Sequence, residues 1–364
     1  ANTASSNTGI GAFALQTNTT GASNSALGRS ALNANTTASY NTAVGYRSLY
    51  VNTTGEYNTA VGGQAMDANT TGNYNSGFGL NALGGNTTGT YNTAVGAAAL
   101  QANTTASNNT AVGSDALIAN TTANDNTAVG YKSLNQNTTG TQNVGVGASA
   151  LDANTTANRN VAVGVDALGA CNNDDNTAVG WEAMKVATTA TDSVAIGKQA
   201  LKEVTTGSYN TAIGYNAMDN LTTGVHHVAV GYIALRSLTT GTYCVAVGNY
   251  AAYLTTTGSR TTAIGYNALG SNTTGNDNTA LGAQALDTST TGSNNVGVGA
   301  SALTANTTGA YNVAIGHSAM DNLTTGQHHV AIGYVALRSL TTGIYSVAVG
   351  NYAAYLTTTG SRTT

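Results

Sequence analysis

The chain has 364 residues and a formal net charge of −4, with only 11 Lys and Arg and 15 Asp and Glu. It contains 45 Gly, two Phe and one Trp, and it has no Pro. This composition excludes a wide core of large side chains, and the absence of a basic patch argues against nucleic-acid binding. The sequence contains no run of about 18 apolar residues, so it does not predict a segment that spans a membrane.

One seventeen-residue unit, N-T-A-V-G-x-x-A-L-x-x-N-T-T-G-x-x, repeats along the chain. The first unit begins at Asn7 and the last at Ser346, with one phase slip where the step from Asn160 to Asn176 is sixteen residues. A period this short indicates that each unit is one turn of a solenoid. The sequence therefore predicts an all-β fold in which residues 1–364 form one continuous parallel β-solenoid, or β-roll, of about 21 coils.

The residue types within the unit predict its local structure. With the unit's first residue as position 0, position 4 is always Gly, position 3 is apolar, position 2 is Ala or Gly, and position 8 is usually Leu or Met. Positions 1 to 3 alternate as in a strand, and we expect positions 1 and 3 to point into the coil. The glycine at position 4 allows the positive φ that ends so short a strand. The N-T-T-G stretch predicts a turn.

Stacking places each residue on its own copy in the next coil, which predicts side-chain ladders. The predicted core ladder contains Val44, Gly45, Leu49, Val61, Gly62, Val129, Gly130 and Leu134. The predicted surface ladder contains Asn52, Thr53, Thr54, Asn69, Thr70 and Thr71. The same stacking predicts parallel backbone hydrogen bonds between coils about 4.8 Å apart.

Position 2 suggests a partner for the coil. It never carries a polar side chain, and a strand without polar groups on either face is normally covered on both. We therefore expect a second copy of the chain to pack on this ridge of Ala and Gly. The alternative is a flattened coil that exposes small methyl groups.

Three segments resemble the head repeats of trimeric autotransporter adhesins. They are Asn160-Val-Ala-Val-Gly, Ser193-Val-Ala-Ile-Gly and Asn312-Val-Ala-Ile-Gly. The longer motif N-T-A-V-G-x-x-A-L-x-x-N-T-T-G resembles repeats of phage tail-fibre and other surface-fibre proteins. The resemblance implies a left-handed β-roll in a side-by-side homotrimer, although the units of adhesin heads are shorter than those of this chain.

A longer repeat favours a fibre over an enzyme. Residues 209–262 recur almost verbatim as residues 311–364, an offset of six coils. Duplication of whole blocks lengthens a rod without disturbing its core. Because the pattern at Gly258 continues whereas the identical pattern at Gly360 stops, we expect the sequence to be a segment of a longer chain.

Few residues suggest a catalytic or metal-binding site. The pairs His226-His227 and His328-His329 suggest either a metal site on a trimer axis or simple packing. The run from Cys171 to Asp175, with Asp166 and Glu182 nearby, suggests either a calcium loop or a bulge of solvated acids. No recurring nucleophile–base pair or phosphate loop is present, so we expect no enzyme activity, no cofactor and no bound metal.

Other repeated residues suggest surface roles. Eleven N-T-T sequons are potential glycosylation sites, but an Asn hydrogen-bond ladder explains their recurrence better. An outward Thr row suggests ice binding. Tyr40, Tyr57 and Tyr74 suggest an exposed binding strip, with corner packing as the alternative. Cys171 and Cys244 lie about four coils apart, roughly 19 Å, too far for a disulfide within one chain.

Together these features predict a structural shaft or head segment of an extracellular fibre on a cell surface or a virion, which acts as a stiff spacer and display surface. Its predicted partner is itself, as a trimer or an end-to-end filament. The alternatives are an adhesin that binds host glycan or matrix protein through its Tyr and Thr faces, a self-assembling filament subunit, and an ice-binding solenoid.

Overall fold

A computed structural model describes residues 4–363, and this range contains short β-strands and turns but no helix. About 20 coils of about 17 residues form a parallel β-solenoid, so the predicted all-β solenoid is confirmed. The chain divides into two units, Ala1–Trp181 and Glu182–Thr364, called unit 1 and unit 2 below.

The described part of unit 1, residues 4–181, contains eleven strands, one in each coil. Each strand has three residues and pairs in parallel with the strand one coil away, so that Thr42 faces Thr59 and Val44 faces Val61. The strands are β1 (Thr8–Ile10), β2 (Ser25–Leu27), β3 (Thr42–Val44), β4 (Thr59–Val61), β5 (Ser76–Phe78), β6 (Thr93–Val95), β7 (Thr110–Val112), β8 (Thr127–Val129), β9 (Val144–Val146), β10 (Val161–Val163) and β11 (Thr177–Val179).

Residues 182–363 of unit 2 contain another eleven strands in the same arrangement. The final two strands are longer and extend the pairing to the segment before position 0. The strands are β12 (Val194–Ile196), β13 (Thr211–Ile213), β14 (Val228–Val230), β15 (Val245–Val247), β16 (Thr262–Ile264), β17 (Thr279–Leu281), β18 (Val296–Val298), β19 (Val313–Ile315), β20 (Val330–Ile332), β21 (Thr342–Val349) and β22 (Thr359–Thr363).

The prediction that positions 1 and 3 point into the coil is wrong. In β3 the central Ala43 is fully buried, whereas Thr42 and Val44 on either side are only half-buried. Val61 and Val129, also predicted for the core, are half-buried in the same way. Position 2 therefore points inward, and positions 1 and 3 point outward.

Space inside the coil explains this orientation. The side chains at positions 7 and 8 of the preceding coil pack against position 2, so only a small residue fits there. A Cβ built on Gly77 lies 3.0 Å from Cε of Met66, and one built on Gly145 lies 2.6 Å from Oγ of Ser133. The restriction of position 2 to Ala and Gly thus reflects interior crowding, not an external ridge.

Positions 7 and 8 supply the rest of the apolar core. Leu49 and Leu134, both predicted for the core ladder, are fully buried, and so is Ala65 at position 7. Replacing such a buried Leu with Ala typically costs about 2–5 kcal/mol. The core is therefore a thin double layer of Ala at position 2 and Leu or Met at position 8.

The turns depend on unusual backbone conformations. Gly45, Gly62 and Gly130 at position 4 have φ between 131° and 140°, and a Cβ on Gly45 would clash with the carbonyl oxygen of Gly62. Only glycine tolerates both conditions.

Three further positions, 6, 8 and 16, adopt the left-handed conformation without glycine. Arg47, Leu49 and Tyr57 have φ of 56°, 48° and 57°. Each such residue costs roughly 1–2 kcal/mol, so the inter-coil bonds and packing must compensate for this strain in every coil.

The asparagines of the predicted surface ladder are interior. Asn52 and Asn69 at position 11 are fully buried, and Nδ2 of Asn69 donates to Oδ1 of Asn52 at 2.8 Å. Nδ2 of Asn52 also donates to the carbonyl oxygen of Gly55 at 2.9 Å. The expected Asn hydrogen-bond ladder is therefore present, but it lies inside the coil. In the folded coil these sequon nitrogens are not accessible for glycosylation.

A second buried Asn ladder lies at position 0. The backbone N–H of Asn58 donates to Oδ1 of Asn41 at 2.9 Å, and Nδ2 of Asn58 donates to the carbonyl oxygen of Gly72 at 2.8 Å. A single side chain thus bonds to the backbone at two points of the coil stack. These bonds satisfy amide and carbonyl groups that would otherwise be buried without partners.

The two threonines at positions 12 and 13 have different surroundings. Thr53 is half-buried, and its hydroxyl donates to the carbonyl oxygen of Thr70 at 3.1 Å. Thr54 and Thr71 at position 13 are exposed. One row of threonines therefore bonds to the next coil, and the other faces solvent.

Candidate interaction surfaces

The outward face of the strands carries a row of exposed apolar side chains. Position 3 carries Val, Ile, Leu or Phe, and many of these side chains are more than a third exposed. Exposed fractions include Val95 38%, Ile196 40%, Ile213 38%, Leu281 44% and Ile315 39%. Because Ala at position 2 already packs against the core on the inner side, nothing within the coil covers this outer row.

The tyrosines of the predicted binding strip form a stacked column at position 16. The rings of Tyr40, Tyr57, Tyr74 and Tyr91 are parallel within 5°, and neighbouring centroids are 4.9–5.0 Å apart. Tyr40, Tyr57 and Tyr74 are 55%, 44% and 47% exposed, so the strip is on the surface rather than packed into a corner. Partial burial raises the pKa of Tyr57, and its neighbours Tyr40 and Tyr74 raise it further.

Each inner ring of this column has both faces covered by its neighbours. Only ring edges and hydroxyl groups remain in contact with solvent. A sugar that stacks through its C–H face requires an open aromatic face. The column is therefore better suited to edge contacts with a protein than to sugar stacking.

Position 16 continues along the coils with other matched neighbours. Arg260 forms a two-pronged ion pair with Asp277, with N–O distances of 2.7 and 2.8 Å. In unit 1, Nδ2 of Asn108 donates to Oδ1 of Asp125 at 3.1 Å. Neighbouring residues at position 16 therefore form favourable pairs, by ring stacking, ion pairing or hydrogen bonding.

The acids of the short unit are paired rather than free for a cation. Arg159 contacts Asp175 at 2.7 Å and Asp174 at 3.1 Å. Its hydrogen bond lowers the pKa of the Asp175 carboxyl. Glu182 contacts Lys185 at 2.8 Å, and this bond lowers its pKa. The calcium-loop interpretation therefore has no support from these contacts.

The two histidines of each pair have different surroundings. The exposed His226 ring stacks between Tyr209 and Tyr243, with centroids 5.1 and 5.0 Å away. His227 is fully buried at position 0, where it replaces the ladder Asn. The backbone N–H of Cys244 donates to its Nδ1 at 3.1 Å, and its Nε2 lies 2.8 Å from the carbonyl oxygen of Gly241.

These bonds assign the proton of neutral His227 to Nε2. Burial lowers the pKa of His227 to about 4. His329 repeats the same contacts with Ser346 and Gly343, and burial lowers its pKa as well. Both histidines thus act as interior substitutes for Asn.

The cysteines also occupy interior ladder positions. Cys171 and Cys244 are buried free thiols within the chain, and burial raises the pKa of both. Their positions, 11 and 0, are those of Asn in most coils of unit 1.

Unit 2 contains a second type of aromatic arrangement at the corner of the coil. The ring of Tyr250 lies 5.5 Å from Tyr232, 5.6 Å from Tyr253 and 6.1 Å from Tyr266, at interplanar angles of 60°, 86° and 73°. The duplicated block repeats it, with Tyr352 lying 5.3 Å from Tyr334 and 5.9 Å from Tyr355. The sequence predicted one tyrosine strip and did not distinguish this edge-to-face cluster from the stacked column.

Within residues 4–363, no three His, Cys, Asp or Glu side chains come together as a metal site. The described part of the chain also contains no helix long and apolar enough to cross a membrane. No protein-family model matches the chain, and no curated protein matches it.

Proposed function

We propose that this chain is a structural segment of an extracellular or virion surface fibre, assembled side by side as a homotrimer. The observation that carries the proposal is the exposed row of Val and Ile on the outward face of the strands. A contiguous row of exposed apolar side chains, here flanked by Thr or Val at position 1, is typical of a surface that packs against a partner. We still propose that a second copy of the chain covers the coil, but it packs on positions 1 and 3 instead of position 2.

The energetic argument depends on repetition. Full burial of a Val or Ile side chain contributes about 1.5–3 kcal/mol. Covering the exposed part of position 3 therefore contributes roughly 0.5–1 kcal/mol for each coil. Each contact is weak, but the successive coils of each unit add these contributions, and a second chain with the same period matches their register.

The trimer and the left-handed winding rest on the resemblance to adhesin heads. A cyclic arrangement of three identical coils buries one face from each chain. Within the chain, the parallel backbone ladders and the two Asn ladders supply cohesion between coils. Such a fibre acts as a stiff spacer that displays its remaining faces or a tip.

An adhesin is the second candidate function. It is favoured by the many exposed tyrosines, including Tyr243 at 59% and Tyr266 at 57%. The two functions are compatible, because the tyrosines at positions 16 and 5 lie beyond the two ends of the strand.

The native mass of the chain in solution tests the proposed assembly. We expect the wild type to sediment as three copies of the 36.2 kDa chain. Val112→Asp with Val129→Asp places charges on the outward face of two coils and should weaken the trimer without unfolding the chain. The matched control is Thr122→Asp with Thr139→Asp, at exposed positions of the same two coils, which should dissociate at the same concentration as the wild type. A monomeric wild type, or a Val112→Asp/Val129→Asp variant whose trimer is as stable as that of the wild type, would contradict the proposal.

A further inference from the structure

The stacked column of unit 1 holds four phenol rings in register. Tyr40, Tyr57, Tyr74 and Tyr91 occupy position 16 of four successive coils. Neighbouring ring centroids are 4.9–5.0 Å apart, and the planes of neighbouring rings differ by no more than 5°. The spacing of the rings matches the spacing of about 4.8 Å between parallel strands. Each ring is therefore close to a translated copy of its neighbour.

The backbone fixes this register. The four tyrosines have nearly the same φ, between 57° and 62°. The N–H of Tyr57 donates to the carbonyl oxygen of Ser39 at 3.3 Å, and the N–H of Tyr74 donates to that of Glu56 at 3.1 Å. These bonds join each tyrosine to the coil before it. The rings therefore remain neighbours when their side chains rotate, because hydrogen bonds hold the coils together.

The rings of the stacked column are accessible to reagents in solution. Tyr40, Tyr74 and Tyr91 are 55%, 47% and 60% exposed. An oxidant can reach their edges and hydroxyl groups, and water can accept the phenolic protons. Thiols are readily oxidised competitors, but Cys171 and Cys244 are fully buried and lie in other coils.

This arrangement favours the coupling of two tyrosyl radicals. Holding two reactants side by side converts a bimolecular step into an effectively unimolecular one. From the observed stacking, rotation of two neighbouring rings about their side-chain bonds brings the carbons ortho to the two hydroxyl groups together. The product of this coupling is dityrosine.

We propose that the stacked column is a site of oxidative cross-linking, at which a one-electron oxidant of the haem peroxidase class joins neighbouring tyrosines as dityrosine. Each of two phenols loses one electron to the oxidant and its hydroxyl proton to water. The two radicals then form one carbon–carbon bond between their ortho carbons. The hydrogen on each of these carbons moves to the phenolic oxygen, which restores both rings. In total the pair loses two electrons and two protons.

The cross-link adds a covalent connection between coils. Neighbouring tyrosines of the column are 17 residues apart, so the new bond closes a loop of one coil. Such a bond restricts the unfolded chain as a disulfide does. Cys171 and Cys244 are free thiols and supply no such connection within the chain. The inference goes beyond the structural role and does not rest on trimer formation.

Unit 2 offers a comparison between two copies of one sequence block. Tyr215 and Tyr232 are stacked, with centroids 5.3 Å apart and an interplanar angle of 11°, and form a shorter version of the column. In the duplicated block His317 replaces Tyr215 and lies 5.6 Å from Tyr334. Because imidazole has no phenolic hydroxyl, we expect dityrosine at the first pair and none at the second.

A third column in unit 2 tests the need for adjacent phenols. His226 lies between Tyr209 and Tyr243, with centroids 5.1 and 5.0 Å away. These tyrosines are 55% and 59% exposed, as accessible as those of unit 1. They are two coils apart, however, so we expect no dityrosine between them.

The first test treats a dilute solution of the 364-residue chain with a haem peroxidase and hydrogen peroxide, and maps the products by protease digestion and mass spectrometry. We expect pairs of peptides that contain neighbouring tyrosines of the column and are joined with the loss of two hydrogens. Under denaturing conditions the product should keep the 36.2 kDa mass of one chain. No link in the column, links between different chains only, or equal linking of Tyr209 to Tyr243 would overturn the proposal.

Phenylalanine variants assign the links to the stacked column. Tyr57→Phe/Tyr91→Phe keeps four stacked rings but leaves the other two phenols of the column two coils apart. We expect it to reduce the yield of column links more than tenfold. The matched control is Tyr131→Phe/Tyr266→Phe, which removes two exposed phenols outside the column and should leave this yield unchanged. Persistence of the links in the first variant, or their loss in the control, would refute the assignment.

A gain of cross-linking provides an independent test. His226→Tyr places a phenol between Tyr209 and Tyr243 and completes a column of three. We expect this variant to form links between residue 226 and its neighbours, at a yield within about threefold of that in unit 1. A folded variant that forms no such link would show that stacking in register is not sufficient for coupling, and would contradict the proposal.

Discussion

Units 1 and 2 have the same coil but fill its interior differently. In unit 1, position 11 is Asn in nine successive coils, from Asn18 to Asn154. In unit 2 the same position is mostly apolar or a hydroxyl residue, including Val204, Leu221 and Leu238, all fully buried. The fold therefore tolerates either an amide column or an apolar column at this position.

The carbonyl group at position 14 explains why both columns work. In unit 1 it accepts from the Asn at position 11 and also from the Asn at position 0, as the carbonyl oxygen of Gly72 does from Asn69 and Asn58. In unit 2 one donor remains: Asn210 donates to Gly224 at 2.9 Å although Leu221 replaces the other Asn. One bond satisfies the buried carbonyl, and the apolar column gains packing instead.

Buried oxygens without hydrogen-bond partners occur where an amide column ends. Asn154, Asn272 and Asn306 each precede a coil that lacks Asn at position 11, and Oδ1 of each has no partner. The side-chain oxygen of each Asn at position 11 has a donor only where the next coil also has Asn at that position. Replacing one Asn within a ladder therefore leaves a buried acceptor unpaired, whereas replacing the whole ladder does not.

The largest predicted difference between the units concerns acid. All five histidines lie in unit 2, and burial lowers the pKa of His227 to about 4 and lowers that of His329. Below pH 6.5 the unfolded chain binds a proton that the folded coil excludes. The contribution of His227 to the free energy of unfolding is therefore constant above pH 6.5. It falls towards pH 4, by up to about 3 kcal/mol.

Hydrogen exchange measured by mass spectrometry at pH 7 and pH 5, corrected for intrinsic exchange rates, tests this prediction. Protection around residues 210–245 should fall relative to unit 1. His227→Asn/His329→Asn restores the usual ladder residue and should abolish the difference, whereas His226→Asn at the exposed neighbour should not. Equal loss of protection in both units would show that the histidines are not responsible.

An interruption of the unit 1 ladder should have the next largest effect. Asn103→Leu removes the donor to Oδ1 of Asn86 and the acceptor for Nδ2 of Asn120. We expect a local destabilisation of about 2 kcal/mol, because these buried groups lose partners. Leu238→Val in unit 2 changes packing alone and serves as the control, at about 1 kcal/mol. Exchange protection of coils 86–120 that matches the wild type would contradict the ladder's role.

Repair of a broken ladder should give a smaller, stabilising effect. Ser289 lies between Asn272 and Asn306, its own hydroxyl has no partner, and Oδ1 of each Asn is also unpaired. Ser289→Asn supplies a donor to Asn272 and an acceptor for Asn306, and should stabilise these coils by about 1 kcal/mol. Ser289→Ala, which adds neither group, should not slow local exchange. A gain of the same size in both variants would argue against ladder repair.

The period, the glycine at position 4 and the Leu at position 8 were sufficient to predict the coil. The orientation of the strand was not predictable from alternation alone, because all three of its positions are small or apolar. The informative signal was size: Ala43 and its equivalents are confined to Ala or Gly, whereas position 3 accepts even Phe78. Interior crowding produces the first restriction, and an open outer face permits the second.

The left-handed residues and the edge-to-face tyrosine cluster around Tyr250 were harder to foresee. Positions 6, 8 and 16 include Leu49 and Tyr57, whose types do not favour positive φ. The occasional Asn or Asp there, such as Asn81 and Asp125, was the only local signal. The tyrosine cluster combines rings from three coils, and their relative orientation depends on packing that the repeat pattern does not specify.

The central claim is that copies of the chain pack side by side through the outward faces of their strands. Electron cryomicroscopy of the purified assembly tests it most directly. We predict three parallel chains in each cross-section, layers about 4.8 Å apart, and the Val and Ile of position 3 facing the central axis. A single coil per cross-section, or chains that meet through another face, would contradict the account.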